Sequence, residues 1–420
     1  MKRIRSHPRM ITGIDIGSTA IRIAVGQAVE DENRKPRVQI FGAIEVASEG
    51  VHKGVVSSIE DAVSSLSSAL EQIERMIGIP IEHAWVGLGS MHVVSQESKG
   101  VIAVAKSDGE IAEEDVARAV EAAHAVAPPL NYEMLHVVPR GFSVDGQTGI
   151  KDPVGMTGIR LEVDTQIIHG LSASLKNVEK AVYRAGIEID DLVLSILATG
   201  DVVTTARQKD LGVAVVNIGG SVTSMVVYED GDIVHVAAFP IGSGHVTNDL
   251  AIGLRTSIDV AERVKIHHGE SIAEAVLRRE KVDLGKLGAE ASEEVSKRYI
   301  AEIIEARMTE ILEKIGEQLS AIDRNGLLPA GIVLTGGGAK LRGLPDLARR
   351  TLALPASLGY PVDMVSSTDK INDLSFASAI GLVKWGAGLQ QTRGARKRPI
   401  GAFLSRASQH VVKLAKTLIP

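Results

Sequence analysis

A short glycine turn occurs twice in this chain, about two hundred residues apart. The first copy runs Ile14-Asp15-Ile16-Gly17-Ser18-Thr19 into Ala20-Ile21-Arg22-Ile23-Ala24-Val25. The second runs Val216-Asn217-Ile218-Gly219-Gly220-Ser221-Val222-Thr223 into Ser224-Met225-Val226-Val227-Tyr228. Each reads as an apolar strand, a tight turn and a second apolar strand. A hairpin tip built from Gly, Ser and Thr presents backbone N–H groups and hydroxyls together, and such a tip can wrap the oxygens of a phosphate. One copy alone is read as well by ordinary hairpin closure. Two copies in corresponding places predict two related halves that grip one polyphosphate from opposite sides. Asp15, at the end of its strand, is placed to hold Mg²⁺ through water.

A chain of 420 residues is too long for one core and predicts two to four domains. Aromatic residues make up only 3%, which argues against stacking surfaces for single-stranded nucleic acid. The absence of cysteine excludes disulfides, thiolate zinc sites and cysteine nucleophiles, and fits a reducing compartment. No apolar run reaches the length of a membrane span, and the basic start Met1–Pro8 lacks the apolar stretch of a secretory signal.

Apolar runs predict strands at 11–16, 21–26 and 38–46, then an amphipathic helix from Ser57 to Ile77 and a strand at 84–88. Residues 93–170 read as a small inserted α+β domain, with a helix at 112–127 stopped by Pro128-Pro129. A helix at 175–185 precedes a strand at 191–197, and 246–326 is rich in helix. Gly87-Leu88-Gly89-Ser90 has no third glycine at dinucleotide-binding spacing and reads as a strand terminus. His267-His268 and Asp190-Asp191 are adjacent pairs whose side chains diverge, so neither predicts a metal or acid–base pair.

Thr335-Gly336-Gly337-Gly338-Ala339 follows an apolar strand and precedes a helix beginning near Leu341 or Leu344. Three consecutive glycines cost too much ordering entropy to be filler. Without Cβ atoms, Gly336, Gly337 and Gly338 let a flat adenine or ribose approach the backbone.

From Leu389 onward the chain holds seven basic residues and no acid; with a net charge of −6 overall, the rest of the molecule carries −13. The polar composition after Leu389 predicts a linker. Beyond it, Ile400, Phe403, Leu404, Ala407, Val411, Leu414, Ala415 and Leu418 fall on one stripe of a helix, with Arg406, Lys413 and Lys416 elsewhere around it. A basic amphipathic helix behind a linker predicts an anchor on an anionic membrane surface.

The two turns and the triple-glycine loop, in this order, resemble the actin/Hsp70/sugar-kinase superfamily. Within it, the chain is similar to the FtsA family of bacterial actin-like division proteins. The resemblance rests on Asp152-Pro153-Val154-Gly155-Met156-Thr157-Gly158-Ile159-Arg160-Leu161, Ala261-Glu262-Arg263-Val264-Lys265 with His268-Gly269, Gly331–Gly337 and Ser378–Leu382. It implies a two-lobed α/β actin-like ATPase fold, with ATP and Mg²⁺ between the lobes, a 1C-type insert and a C-terminal amphipathic helix. The implied domains are a lobe 1 core at 10–92, completed by 171–209 and 374–388, and an insert at 93–170. Lobe 2 follows at 210–245 and 327–373, with a helical subdomain at 246–326, a linker at 389–398 and a membrane helix at 399–420. Cofactor contacts are implied for Asp15, Gly17, Ser18, Thr19, Asn217, Gly219, Gly220, Ser221, Thr223, Glu262, Lys265 and Gly336–Gly338.

The resemblance further implies a scaffold on the cytoplasmic face of the inner membrane at the division septum. There the family tethers FtsZ filaments, self-associates into filaments and recruits later division proteins. Arg307 and Glu310, in the run Ala301–Glu310, match the helix that receives the C-terminal peptide of FtsZ. Two departures bear on turnover. Asn217 stands where the second turn usually begins with Asp, and Ser195 where many relatives carry Glu. An amide and a hydroxyl lack the charge to order Mg²⁺-bound or attacking water, so slow or absent hydrolysis is expected. A pilus-assembly adaptor and a sugar or acid kinase are the alternatives on the same fold.

Overall fold

The computed structural model describes residues 10–30, 36–89, 92–290 and 292–394. The first turn lies between β1 (Ile11–Ile16) and β2 (Ala20–Glu30), which are antiparallel and continue into β3 (Pro36–Ala47). Helix α1 (Ile59–Ile77) begins where the Ser58 side chain accepts the Asp61 N–H. It ends at Gly78, whose φ of 72° closes the helix without a Cβ penalty. Its stripe of Ala62, Leu66, Ala69, Leu70 and Ile73 is buried against the sheet, as the spacing predicts. The parallel strand β4 (His83–Leu88) completes the first half.

The chain then leaves this lobe. Strand β5 (Val93–Ala103), helix α2 (Glu113–Ala123) and strands β6 (Tyr132–Val144), β7 (Gln147–Ile150) and β8 (Arg160–Leu171) form a separate antiparallel sheet. Its order is β5-β8-β6-β7, and α2 packs over its own small core of Ile111, Val120, Phe142, Leu161 and Ile167. The chain returns through α3 (Ser172–Arg184), β9 (Glu188–Leu194) and α4 (Ser195–Val203). The strand expected at 191–197 therefore stops three residues early. Eight of the nine residues of α4 are buried, so no polar face breaks the apolar run, and periodicity cannot separate such a helix from a buried strand.

After α5 (Ala206–Leu211) the second lobe repeats the first. Strands β10 (Val213–Ile218) and β11 (Thr223–Glu229) enclose the second turn, with β12 (Asp232–Phe239) beyond. Helices α6 (Ser243–Gly253), α7 (Ile258–His268) and α8 (Lys297–Ala321) precede β13 (Ile332–Thr335), α9 (Leu344–Leu352) and β14 (Ala356–Leu358). Antiparallel β10–β11 and parallel β10–β13 mirror β1–β2 and β1–β4.

Strand β15 (Met364–Ser366) pairs with β3, so these residues belong to the sheet of lobe 1 rather than to the lobe 2 segment 327–373. The lobe 1 sheet then reads β9-β4-β1-β2-β3-β15 and the lobe 2 sheet β12-β11-β10-β13-β14. Helix α10 (Ala377–Gly394) closes the described chain. It runs to Gly394, into the segment 389–398 expected to be a linker, because Gln and Arg are good helix formers and polarity alone does not end a helix. Glycines let it pack closely. A Cβ on Gly13 would lie 2.4 Å from the Ala379 carbonyl oxygen, and one on Gly381 would lie 2.3 Å from that of Ala198.

Candidate functional site

The two glycine turns are built alike and face each other. In the first, the Gly17 N–H donates to the Ala20 carbonyl (3.1 Å); in the second, the Gly219 N–H donates to that of Val222 (2.9 Å). A Cβ on either glycine would sit 2.8 Å from the same carbonyl it bonds. The tips meet across the lobes, since a Cβ on Gly220 would lie 2.3 Å from Thr19 Cγ2. Among the described residues, nothing accepts the backbone N–H of Ser18, Thr19, Gly220 or Ser221. The Ser18 hydroxyl oxygen accepts the Gly54 N–H (2.8 Å), which leaves its proton free to donate. Four such N–H groups and a poised hydroxyl fit an anionic, multi-oxygen ligand.

Thr223 has a different part. It is fully buried, and its hydroxyl donates to the Ile241 carbonyl (2.8 Å), so it holds the second turn to the connection between β12 and α6 rather than facing the cleft.

The first turn of α6 rests on the second glycine turn. Ser243 and Gly244 donate their N–H groups to the Gly219 and Gly220 carbonyls (2.8 and 2.7 Å). A Cβ on Gly242 would lie 2.5 Å from the Gly219 oxygen, so Gly242-Ser243-Gly244 is the small-residue bearing that lets α6 approach. Lys265 is buried on α7. Its ammonium donates to Glu262 Oε2 (2.6 Å), Thr247 Oγ1 (2.8 Å) and the Ser243 carbonyl (3.3 Å). Glu262 and Lys265 are thus joined to the second turn through α6. Ser243 and Thr247 complete that link, and a Gly-Ser-Gly run before a helical stretch was the signal for them.

Asp15 and Asn217 occupy equivalent places at the ends of β1 and β10. A chain of hydrogen bonds connects them. The Ser195 hydroxyl donates to Asp15 Oδ1 (2.9 Å), and the Thr199 hydroxyl donates to the Ser195 carbonyl (2.7 Å). Thr199 Oγ1 also meets Ser378 Oγ (3.0 Å), which accepts from Asn217 Nδ2 (3.1 Å). Burial pushes the Asp15 carboxyl up, against the opposing pull of Arg22 and Ser195. A cation at this carboxylate would reverse that shift. Gly87 has a local reason to be glycine beyond ending a strand. A Cβ there would lie 2.5 Å from Ser195 Oγ and 3.2 Å from Asp15 Oδ1, so the pair can close only beside a bare backbone.

The triple-glycine loop flanks the second turn. Gly336 has a φ of 87°, and its Cβ would lie 2.1 Å from Asn217 Oδ1. A Cβ on Gly338 would lie 2.5 Å from Ile218 Cγ2. Gly337 alone has nothing within 4 Å, so its Cα faces open space. The helix after the loop begins at Leu344.

Arg307 lies on α8, and its guanidinium is engaged. It makes a two-pronged bond to Asp249 (2.5 and 2.9 Å) and also bonds Glu310. The residues expected to meet a membrane, Phe403, Leu404, Arg406, Val411, Lys413, Leu414, Lys416 and Leu418, lie outside the described residues. Among the described residues, no helix is long and apolar enough to cross a membrane.

Known proteins of the same build decide the family. The description "Cell division protein FtsA" matches residues 214–381, and "SHS2 domain inserted in FTSA" matches residues 90–169. "Cell division protein FtsA" of Pseudomonas aeruginosa is 34% identical over 378 residues, covering 90% of this chain and 89% of that protein. The Bacillus subtilis protein of the same name is 35% identical over 376 residues, covering 90% and 83%. The Escherichia coli one is 31% identical over 385 residues, covering 90% of each. The chain belongs to the FtsA family.

Its fold is actin-like. The PilM-PilN type IV pilus biogenesis complex contains a chain alike at TM-score 0.64 and 16% identity, covering 90% of this chain and 98% of that one. MreB5 of Spiroplasma citri bound to ADP is alike at 0.53 and 12%, covering 92% and 99%. Both likenesses concern the fold alone. Within the FtsA family the separate sheet β5–β8 is the SHS2 insert.

Proposed function

We propose that this member of the FtsA family binds ATP with Mg²⁺ between its lobes and tethers FtsZ filaments to the inner membrane through its basic tail. The observation that carries the nucleotide part is the meeting of the two glycine turns at Thr19 and Gly220, with four backbone N–H groups and the Ser18 proton left to donate. Phosphates held there by N–H donors from both lobes would join the halves. Asp15 is the carboxylate that would hold Mg²⁺ through water, supplying charge neutralisation at the phosphates. Gly336–Gly338 is the wall on which the nucleoside would lie, and Glu262 and Lys265 would stand on its far side.

Turnover is slow in this reading. Asn217 has no charge, and its amide donor is given to Ser378. Ser195 gives its hydroxyl to Asp15. Neither is a base for an attacking water.

The membrane part rests on the sequence of the tail. Arg406, Lys413 and Lys416 add about 1 kcal/mol each near an anionic surface, and the stripe Phe403, Leu404, Val411, Leu414, Leu418 buries modest apolar area. Such an anchor is weak in a monomer and strong in a filament, where many copies bind together. Co-sedimentation with anionic vesicles tests this. The full chain should pellet at low salt, while a chain lacking 399–420 and the variant Leu414→Glu should stay in solution. Vesicle binding by the truncated chain would show that the anchor lies elsewhere.

A further inference from the structure

The SHS2 insert is covalently part of lobe 1, because its chain leaves after β4 and returns into α3. Its body nonetheless reaches lobe 2. Val138 of β6 and Ile168 of β8 lie in the same buried core as Ile233 and Val236 of β12, a core that also takes in Ile11, Trp85 and Val193 of lobe 1. Beside that core the Lys151 ammonium spans the gap and donates to the Asp230 carbonyl and to Asp232 Oδ2, each at 2.6 Å. Both acceptors sit at the tight hairpin between β11 and β12, where Asp230 and Gly231 have φ of 52° and 81°. A groove of about 820 Å³ opens at this contact, with Lys99 and Arg140 on the insert wall and Asp210, Glu229, Asp230 and Asp232 on the lobe 2 wall. Lys99 and Arg140 are held by Glu162 and Glu97 on their own domain (2.7 and 2.5 Å), and Glu229 by Arg324 (2.8 Å). Among these bridges, the one that crosses the groove is Lys151–Asp232.

We propose that the insert is a strut between the lobes, fixing through Lys151 and Asp232 how far lobe 2 rotates against lobe 1. The chain crosses between the lobes twice, through α4 and α5 and again between β14 and β15, and both crossings are of short reach. A third link, set out on the body of the insert, resists rotation with a longer lever. The apolar seam supplies area, and the ion pair supplies register, because an ammonium shared between a carbonyl and a carboxylate fixes one relative position of the two bodies. Rotation of lobe 2 must carry the insert along or break this link. The proposal does not depend on what the cleft binds.

The test uses the absence of cysteine in the natural chain, which makes introduced thiols unique. One spin-label pair, at the exposed positions Thr148→Cys and Asn325→Cys, reports the gap between insert and lobe 2. A second pair, at the exposed positions Ser64→Cys and Ala306→Cys, reports lobe against lobe. Pulsed dipolar spectroscopy on the full chain without nucleotide should give narrow distances for both. Lys151→Glu should lengthen and broaden both distributions, and the exchanged pair Lys151→Glu with Asp232→Lys should narrow them again. Lys151→Gln is the milder companion, and both variants should melt like the parent because Lys151 is half-exposed. If only the insert pair changes, the contact is local and the strut is refuted. No change in either pair, or no recovery in the exchanged variant, refutes it as well.

Discussion

Replacing Gly337 with Phe separates the proposed nucleoside wall from the fold itself. Of the three loop glycines, it is the one whose added Cβ meets nothing within 4 Å. Its neighbours are poor test sites. Gly336→Ala would force a side chain onto Asn217 Oδ1 at a φ of 87°, and Gly338→Ala onto Ile218 Cγ2. Strain of these kinds costs about 1–3 kcal/mol, so lost binding there would be confounded with lost stability. A side chain at 337 instead projects into the open space that the base would occupy, and stability should change by no more than about 0.5 kcal/mol. An adenine lying on this wall would remove on the order of 100 Å² of apolar surface from water. At about 25 cal/mol per Å² that is about 2.5 kcal/mol, or roughly seventyfold in dissociation constant. Anisotropy titration of a fluorescent ATP analogue with Mg²⁺, alongside a thermal melt, reads both quantities. Binding within twofold of the parent at an unchanged melting temperature would remove the loop from the site.

Phosphate release by the parent should be very slow, and Asn217→Asp should raise it, because the new carboxylate can order Mg²⁺-bound water while the Ser378 hydroxyl turns to donate to it; robust release by the parent would refute this. Arg307→Glu should weaken binding of the FtsZ C-terminal peptide about ten- to a hundredfold in a titration while leaving ATP affinity alone. Asp249→Asn, which loosens the two-pronged bond that now holds Arg307, should tighten peptide binding, and unchanged binding in both would place the partner elsewhere. In the insert, burial raises the Asp115 carboxyl, but the Ala112 N–H, the Arg118 guanidinium and the Ala105 N–H together more than offset this and hold it below its ordinary 3.8. A depressed carboxyl contributes stability above the unfolded value and loses it as pH falls through the folded one. Asp115→Asn should therefore cost about 2–3 kcal/mol at pH 7, and the difference from the parent should shrink only as pH falls below the ordinary 3.8 and through the lower folded value. A pH-independent difference would show that the charge is not what matters.

The two turns were legible because a tight phosphate tip demands particular residues over a few consecutive positions. Helix α1 was legible because its buried stripe is interrupted by a polar face. Helix α4 was not, since a segment buried on nearly every side shows no period. The bonds that tie the cleft together were out of reach for another reason. Ser378 meets Asn217 across 161 residues of sequence, and Ser195 meets Asp15 across 180. Nothing local marks a serine for such a contact. Gly87 is the same case, since the side chain that forbids a Cβ there is that of Ser195, at the start of α4. Thr223 was misread because its composition matched the turn, while its direction depends on where Ile241 lies.

Helix α10 has a mechanical consequence. Near its start, Ser378 touches Asn217 at the cleft; its other end, at Gly394, is where the chain heads toward the basic tail. Sixteen residues of helix make a rod of about 24 Å between those points. Leu382, Val383, Ala387 and Leu389 bury it against lobe 1, and glycine crossings at Gly13 and Gly381 leave it little play. Tension drawn along the tail would load these contacts in shear, all together, instead of peeling them one by one. A slip of the rod would load the bond from Lys384 to the Asp201 carbonyl (2.6 Å) and then the Ser378 hydroxyl, so a pull at one end would become a displacement at the other.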